Sequence, residues 1–396
     1  MIQVFIFKLS LAWKTLFYKQ KRFLAALFAI SFAVFLMFLQ QGFQNALLNS
    51  NVEFIQNLNT DLIIASRRRY VSYIEHTFKK NRLYQARGFK GVEAAYPLYI
   101  TMGIWKSNQG IKERAIRVFA FNPADSVFLL PAVQESASEL QLPDTLLADK
   151  KASKVYGLME KGIVAELSGR SVRVIGMFEL GTDFVAEGNL IISDQNFLRI
   201  FSEQPSGFEG TLRSSLNEVD LGLIKAEQGI DIDSLAKVLN QSLPPDVVVL
   251  SKQNFIQQEI KHWNQTTPVG FVFAVGTFIG FVVGIVVVYN IIYTDISENL
   301  PQYATLKAMG HSTSYLLSIV LLESTIISIF GFLPGLWLSV LIYELIAKTT
   351  GLLMQMTSNV ITMVLSLTFI MCILAGLLST KKLQNIDPAE LYGQKI

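Results

Sequence analysis

Four long, nearly uncharged stretches constrain this chain more than any other feature of its sequence. They cover residues 23–47, 268–293, 316–346 and 356–380. A helix rises about 1.5 Å per residue and so crosses a bilayer with about 20 mostly apolar residues. The chain is 51% hydrophobic and 16% charged, whereas soluble domains carry roughly 25% charged residues. We therefore expect an α-helical membrane protein with four transmembrane helices.

Basic residues beside these stretches predict the orientation of the chain. Positive side chains concentrate on the cytoplasmic side of membrane proteins. Two lysines, Lys381 and Lys382, follow the fourth stretch. Five basic residues and no acidic one precede the first stretch: Lys8, Lys14, Lys19, Lys21 and Arg22. Both termini are therefore predicted to be cytoplasmic, as an even number of spans requires. The net charge of +3 is too small to indicate a nucleic-acid binder.

The first stretch has the basic start and the apolar core of a signal peptide. Its polar end, Gln40-Gln-Gly-Phe-Gln44, offers no small-x-small cleavage site, so we interpret it as an uncleaved anchor. Apolar residues continue at helical spacing through Leu47, Val52 and Ile55, which predicts that the helix leaves the bilayer as a stalk.

These observations predict the domain organisation. The order is a cytoplasmic segment (1–22), the first span and stalk (23–47), a periplasmic α+β domain (48–267), the second span (268–293), a cytoplasmic helix region (294–315), the third span (316–346), a short periplasmic loop (347–355), the fourth span (356–380) and a cytoplasmic tail (381–396). Glycine and proline at 331, 334 and 335 are expected to interrupt the third span.

The α+β domain is predicted from alternating and helical patterns. Strand-like runs lie at 61–65, 114–121, 172–178, 190–192 and 247–250, and helical runs lie at 232–243 and 254–263. The β-α-β pattern near the end suggests half of a split ferredoxin-like subdomain, formed by 48–110 and 216–263. Residues 111–215 would then form an inserted, β-rich subdomain.

Catalytic constellations are missing from the sequence. The histidines His76, His262 and His311 have no metal-ligand spacing, and Cys372 lies inside an apolar run, where we interpret it as a core residue. The nearest approach to a phosphate-binding loop runs from Gly162 to Ser171, with six residues between its glycines and Arg in place of Lys, and we interpret it as a turn between strands. We therefore predict no catalytic, metal-binding or cofactor-binding residue and no enzymatic activity in this chain.

Three motifs have more than one interpretation, two in the spans and one in the α+β domain. Gly276, Gly280 and Gly284 are four residues apart on one helix face, a pattern that lets helix backbones approach closely in lipid; the partner is either the first span or the same helix of a second copy. Glu323 is an acid about one turn inside the third span, which makes it a candidate functional acid; the alternative is a carboxylate that reaches water. The run Arg67–Arg69 is interpreted as a solvated loop, with an acidic partner site as the alternative.

The segment between the second and third spans predicts a short helix. Pro301 suits a first helical turn, and Gly310 suits a left-handed stop. Tyr303, Leu306 and Met309 should share one face. Gln302 and Lys307 point elsewhere. Such a helix either lies at the membrane interface or is gripped by a cytoplasmic partner.

A longer tract here carries a family resemblance. Residues 291–310, IIYTDISENLPQYATLKAMG, followed by Leu321-Leu-Glu-Ser324, resemble the FtsX-like (MacB-type, or type VII) permeases of ABC transporters. The tail Asp387-Pro-Ala-Glu390 is similar to that family's C-terminus. The resemblance is closest to the DevC family of cyanobacterial exporter permeases, in Thr182-Asp-Phe-Val-Ala-Glu-Gly188, Gly222-Leu-Ile-Lys225 and Thr267-Pro-Val-Gly270.

The resemblance implies an inner-membrane homodimer that works by mechanotransmission. The segment between the second and third spans would be the coupling helix, gripped by a separate ATPase subunit that binds ATP and Mg. The family's coupling helix corresponds here to Gln302, Tyr303, Leu306, Lys307, Met309 and Gly310. A periplasmic membrane-fusion adaptor and a TolC-type outer-membrane channel would complete an exporter of a glycolipid or another lipophilic substrate. MacB carries a fused ATPase domain; this chain has only a short basic segment before its first span, so a separate ATPase polypeptide is expected.

Three alternatives share parts of this organisation. A lipoprotein-release permease of the LolC/E type would pair with a second, different permease. An FtsX-like regulator would transport nothing and would control a cell-wall hydrolase. A membrane-anchored enzyme would need a catalytic cluster in the α+β domain.

Overall fold

A computed structural model describes residues 20–107, 113–203, 212–350, 352 and 354–381. Most of the predicted N-terminal segment, with Lys8, Lys14 and Lys19, lies outside the described residues, as do Lys382 and the predicted family motif at 387–390. The chain forms two compact units. The helix unit contains described residues of 20–45, 269–346 and 354–381. The sheet unit contains those of 46–268 and the short stretch that begins at Ala347.

The described helices alternate with strands only in the sheet unit. The helices are α1 (Gln20–Gln56), α2 (Asn81–Arg87), α3 (Pro131–Glu135), α4 (Ala137–Leu140), α5 (Asp194–Phe201), α6 (Ile232–Ser242), α7 (Lys252–Lys261), α8 (Pro268–Glu298), α9 (Leu300–Ala308), α10 (Thr313–Thr350) and α11 (Ser358–Ser379). The strands are β1 (Leu62–Ser66), β2 (Phe78–Lys79), β3 (Val92–Lys106), β4 (Arg114–Phe121), β5 (Thr145–Asp149), β6 (Val164–Leu167), β7 (Arg170–Phe178), β8 (Asn189–Ser193), β9 (Glu218–Val219), β10 (Leu221–Ala226) and β11 (Val247–Ser251).

Four of these helices, α1, α8, α10 and α11, are long and apolar enough to cross a membrane. Their buried side chains form one core with α9. Helix α10 is unbroken from Thr313 to Thr350 and contains Pro334. The interruption expected at 331–335 is therefore wrong. Neighbouring spans can compensate for the hydrogen bond that a proline removes from a membrane helix, and both flanking glycines are buried against α1.

The sheet unit is built on nine strands in the order β11-β1-β10-β3-β4-β8-β5-β7-β6. The long strand β3 joins the two parts of this sheet, because Val92–Leu98 pairs with β10 and Tyr99–Trp105 pairs with β4. The end of β3 also pairs with β6, which closes β3, β4, β8, β5, β7 and β6 into a small barrel. Strand Arg114–Phe121 has the bounds that its alternation predicts.

The remaining strands alternate with helices at both ends of the unit, in the order β1-β2-α2-β3 at its start and β10-α6-β11 at its end. The split ferredoxin-like subdomain formed by 48–110 and 216–263 stays a prediction. The last turns of α1 pack in the core on one face of the sheet through Val52 and Ile55. Leu83 of α2 and Leu239 of α6 lie in a separate core cluster.

A buried cluster of three charges fastens the loop after β1 to β10. Asp220 is fully buried and receives hydrogen bonds from Arg69 Nη1 (3.1 Å), Arg213 Nη2 (2.9 Å) and the Ile100 amide (3.0 Å). Arg69 is only 2% exposed, so the solvated-loop interpretation of Arg67–Arg69 is wrong for Arg69. Its guanidinium is tolerated in the core because the carboxylate of a distant segment pairs with it.

Candidate functional site

Helix α9 lies in the helix unit, begins after Asn299 and is capped at its C-terminal end. The Asn299 carbonyl accepts hydrogen bonds from the amides of Gln302 (3.0 Å) and Tyr303 (3.1 Å). At the other end, the His311 amide donates to the Leu306 carbonyl (3.1 Å) and the Gly310 amide to the Lys307 carbonyl (3.0 Å). These two bonds form a Schellman motif.

The stop at Gly310 is confirmed by its backbone, which adopts φ +92°. This left-handed conformation strains any residue with a side chain. Helix α9 therefore has a defined C-terminal end.

The side chains of α9 divide into an inner and an outer face. Tyr303 and Ala304 are buried with Leu316 and Val320 of α10, and Leu306 packs partly buried against the same core. Met309 is 64% exposed, and Gln302 and Thr305 are also exposed.

The predicted face of Tyr303, Leu306 and Met309 is therefore corrected. Tyr303 belongs to the core of its own chain, because α9 packs into the core that the long helices share. Gln302, Thr305 and Met309, which are three and four residues apart, are exposed, as are Pro301 and Ala308. Lys307 is half-buried. Helical spacing alone could not decide which side the protein itself covers.

Two carboxyl groups, those of Glu323 and Asp295, act on the inner face of α9. Burial raises the pKa of the Tyr303 hydroxyl well above its usual value, and the nearby carboxyl groups of Glu323 and Asp295 act in the same direction. Glu323 is 3% exposed. It continues the buried stripe of α10 that includes Leu316 and Val320, so the structure places this sequence-predicted acid inside the helix unit and not at its surface.

The glycine stripe of α8 faces the first span. A Cβ built on Gly276 would lie 2.6 Å from Gln40 Cδ, and one on Gly280 would lie 3.5 Å from Met37 Cγ. A Cβ on Gly284 would meet Ala33 Cβ at 3.2 Å and would also collide with Met371 of α11. Of the two partners that the sequence left open, the structure therefore has the first span of the same chain, together with the fourth span.

Sequence reasoning missed the packing role of two further glycines, Gly331 and Gly335. A Cβ on Gly335 would lie 2.8 Å from the Ser31 carbonyl oxygen and 2.8 Å from Val34 Cβ, and one on Gly331 would lie 2.7 Å from Ile30 Cβ. The Ser31 hydroxyl donates to the Gly331 carbonyl at 2.8 Å. The four-residue spacing was available as a signal, but Pro334 between the glycines favoured a break instead of a contact.

The structure also places the remaining residues that the sequence analysis considered for catalysis or binding. The segment from Gly162 to Ser171 contains a hairpin turn at Ser168 and Gly169 between β6 and β7, as predicted. Cys372 is buried. The His262 ring lies 3.1 Å from the Tyr73 hydroxyl, and burial lowers the pKa of its imidazole. Among the residues that the structure describes, no three His, Cys, Asp or Glu side chains are grouped to hold a metal ion.

Comparison with known proteins identifies relatives of parts of the chain. Residues 274–388, which include α9, match the family model described as FtsX-like permease C-terminal. An uncharacterized ABC transporter permease of Methanocaldococcus jannaschii is 27% identical over 179 residues, which are 42% of this chain and 44% of the relative. The match thus spans less than half of that relative's length.

Two solved structures are similar to half of the chain. The periplasmic region of MacB from Actinobacillus actinomycetemcomitans has a TM-score of 0.34 and 13% identity, and the alignment covers 50% of this chain and 92% of that one. The extracellular domain of the noncanonic ABC-type transporter YknZ from Gram-positive bacteria has a TM-score of 0.32 and 14% identity, covering 48% of this chain and 98% of that one.

Proposed function

We propose that this chain is the permease subunit of an ABC exporter of the MacB/DevC type, driven by mechanotransmission. The observation that carries the proposal is α9, a helix with a capped C-terminus, a covered inner face and an exposed outer face, inside the stretch that matches FtsX-like permeases. A helix held this way can pass a push on its outer face to α8 and α10, because Tyr303 and Ala304 fix it to the core.

The proposed drive comes from a separate ATPase subunit that binds ATP and Mg and contacts Gln302, Thr305 and Met309. Movement of α9 would reach the sheet unit along two chain connections. One is α1, which is a single helix from Gln20 to Gln56. The other is α7, which leads through a π-helical turn at His262–Thr266 into α8.

The remaining assembly is proposed from the resemblance of the sequence. It comprises a homodimer in the inner membrane, with both termini cytoplasmic, a periplasmic membrane-fusion adaptor and a TolC-type outer-membrane channel. The proposed cargo is a glycolipid or another lipophilic molecule. The chain itself would be non-catalytic.

Replacing Met309 with aspartate should remove the ATPase subunit from the complex. Met309 directly follows α9, and its side chain is 64% exposed. Losing a central apolar anchor costs about 2 kcal/mol or more of binding. This weakens association at least about 30-fold, since each 1.4 kcal/mol is a factor of ten. Affinity purification of the tagged chain with mass spectrometry measures the loss.

Met309→Leu is the matched control and should keep the ATPase. Leu306→Asp is less suitable, since Leu306 packs in the chain's own core. An ATPase that remains bound to Met309→Asp would move the contact away from α9. Copurification of no ATPase with the unchanged chain would contradict the transporter proposal itself.

A further inference from the structure

Glu323 presents a buried carboxyl group with an oxygen that lacks a partner. Its side chain is 3% exposed, and its Oε1 atom accepts no hydrogen bond within the part of the chain that the structure describes. Among the described residues, no Lys, Arg or His lies within ion-pair distance of Glu323. The titratable groups that act on it there are Asp295 at the end of α8 and Tyr303 of α9.

An ionised carboxylate is unstable in such a place. Burying a charge is costly unless a cation or several hydrogen-bond donors compensate for it. Asp295 adds a like charge, and lipid around α10 provides no water. Taking up a proton removes the cost and turns the carboxylate into a hydrogen-bond donor.

The location of Glu323 links its charge to α9. Leu316 and Val320 precede it on the buried stripe of α10, and these two residues share a core with Tyr303 and Ala304. The carboxyl group of Glu323 also acts electrostatically on the Tyr303 hydroxyl, so the inner face of α9 lies beside it. Loosening this packing would let water approach an ionised Glu323.

We propose that Glu323 is a proton-binding site, and that its proton keeps the inner face of α9 seated on α10. Ionisation would favour a state in which α9 is lifted and the carboxylate meets water. The inference concerns only the helix unit and needs no ATPase, so it can fail while the permease proposal stands.

Infrared spectroscopy tests the proton directly. The purified full chain and Glu323→Gln are placed in lipid vesicles at neutral pH, and their spectra are subtracted. We expect a protonated carboxyl C=O band in the unchanged chain that is missing in Glu323→Gln and that shifts with carbon-13 glutamate. A difference spectrum with carboxylate bands alone would overturn the proposal.

A labelling experiment tests the link to α9. Ala304→Cys, a position that is fully buried, is introduced together with Cys372→Ala, and maleimide labelling is followed from pH 6 to pH 9. The same labelling rate is measured in the Glu323→Gln background. Dividing the rate with Glu323 by the rate with Glu323→Gln removes the effect of the titration of the new thiol. The ratio of the two rates should rise by up to about tenfold per pH unit, because the lifted state then binds one proton fewer than the seated state.

A ratio that does not change with pH would show that the proton is unrelated to the seating of α9. At pH 6, Ala304→Cys should label equally slowly in the presence of Glu323 and of Glu323→Gln, since an amide mimics the protonated acid in shape and lack of charge. Fast labelling of Glu323→Gln at every pH would also contradict the proposal, because it would mean that the negative charge holds the helix.

Discussion

Asp220→Ala should destabilise the sheet unit by about 3–5 kcal/mol, the usual cost of removing one partner from a buried ion pair. The change leaves the guanidinium groups of Arg69 and Arg213 buried without the carboxylate that they share. It also leaves the Ile100 amide without its acceptor. Pulse proteolysis of the full chain in detergent, repeated over a series of urea concentrations, measures the loss.

A pair at the surface of the same unit provides the control. Arg82 and Asp246 are 3.1 Å apart, but their side chains are 18% and 45% exposed. Such a pair contributes about 0–1 kcal/mol, so Asp246→Ala should shift the urea midpoint little. Equal shifts for the two alanine variants would mean that the buried cluster does not hold the loop after β1 in place.

Gly335→Ala should destabilise the helix unit. The added Cβ would lie 2.8 Å from the Ser31 carbonyl oxygen, a backbone atom that cannot rotate aside. Overpacking of this kind costs about 1–3 kcal/mol. Thermal unfolding of the full chain in detergent, followed by circular dichroism and size-exclusion chromatography, should show a lower midpoint.

Gly280→Ala is the matched control, because its Cβ would have an ordinary contact of 3.5 Å with Met37. Alanine is also favoured over glycine in a helix by about 1 kcal/mol, so this variant should be unchanged or slightly more stable. A Gly335→Ala variant as stable as Gly280→Ala would indicate that α1 and α10 separate easily. The third span would then not pack on the first as described.

Local patterns in the sequence predicted the elements that local forces determine. The long helices follow from uninterrupted apolar runs, strand Arg114–Phe121 follows from its alternation, and the stop at Gly310 follows from the conformational freedom of glycine. Each of these signals lies within about 20 residues of the feature that it predicts.

Contacts between distant segments account for the features that were not predicted. Arg69 looked like part of a solvated run because its carboxylate partner, Asp220, is 151 residues away. Tyr303 was assigned to a partner because spacing along α9 does not show that α10 covers it. Gly335 was interpreted as a breaker because the close approach of Ser31 depends on how two spans cross.

The pairing of β1 has a consequence during synthesis of the chain. Both neighbours of β1 in the sheet, β10 and β11, come from the far end of the sheet unit, and Asp61 is 164 residues before its partner Lys225. At roughly 5–20 residues per second, the ribosome leaves both edges of β1 unpaired for about 10–30 s. Open strand edges recruit other chains, so β1 is open to wrong pairing with other chains until the last strand arrives.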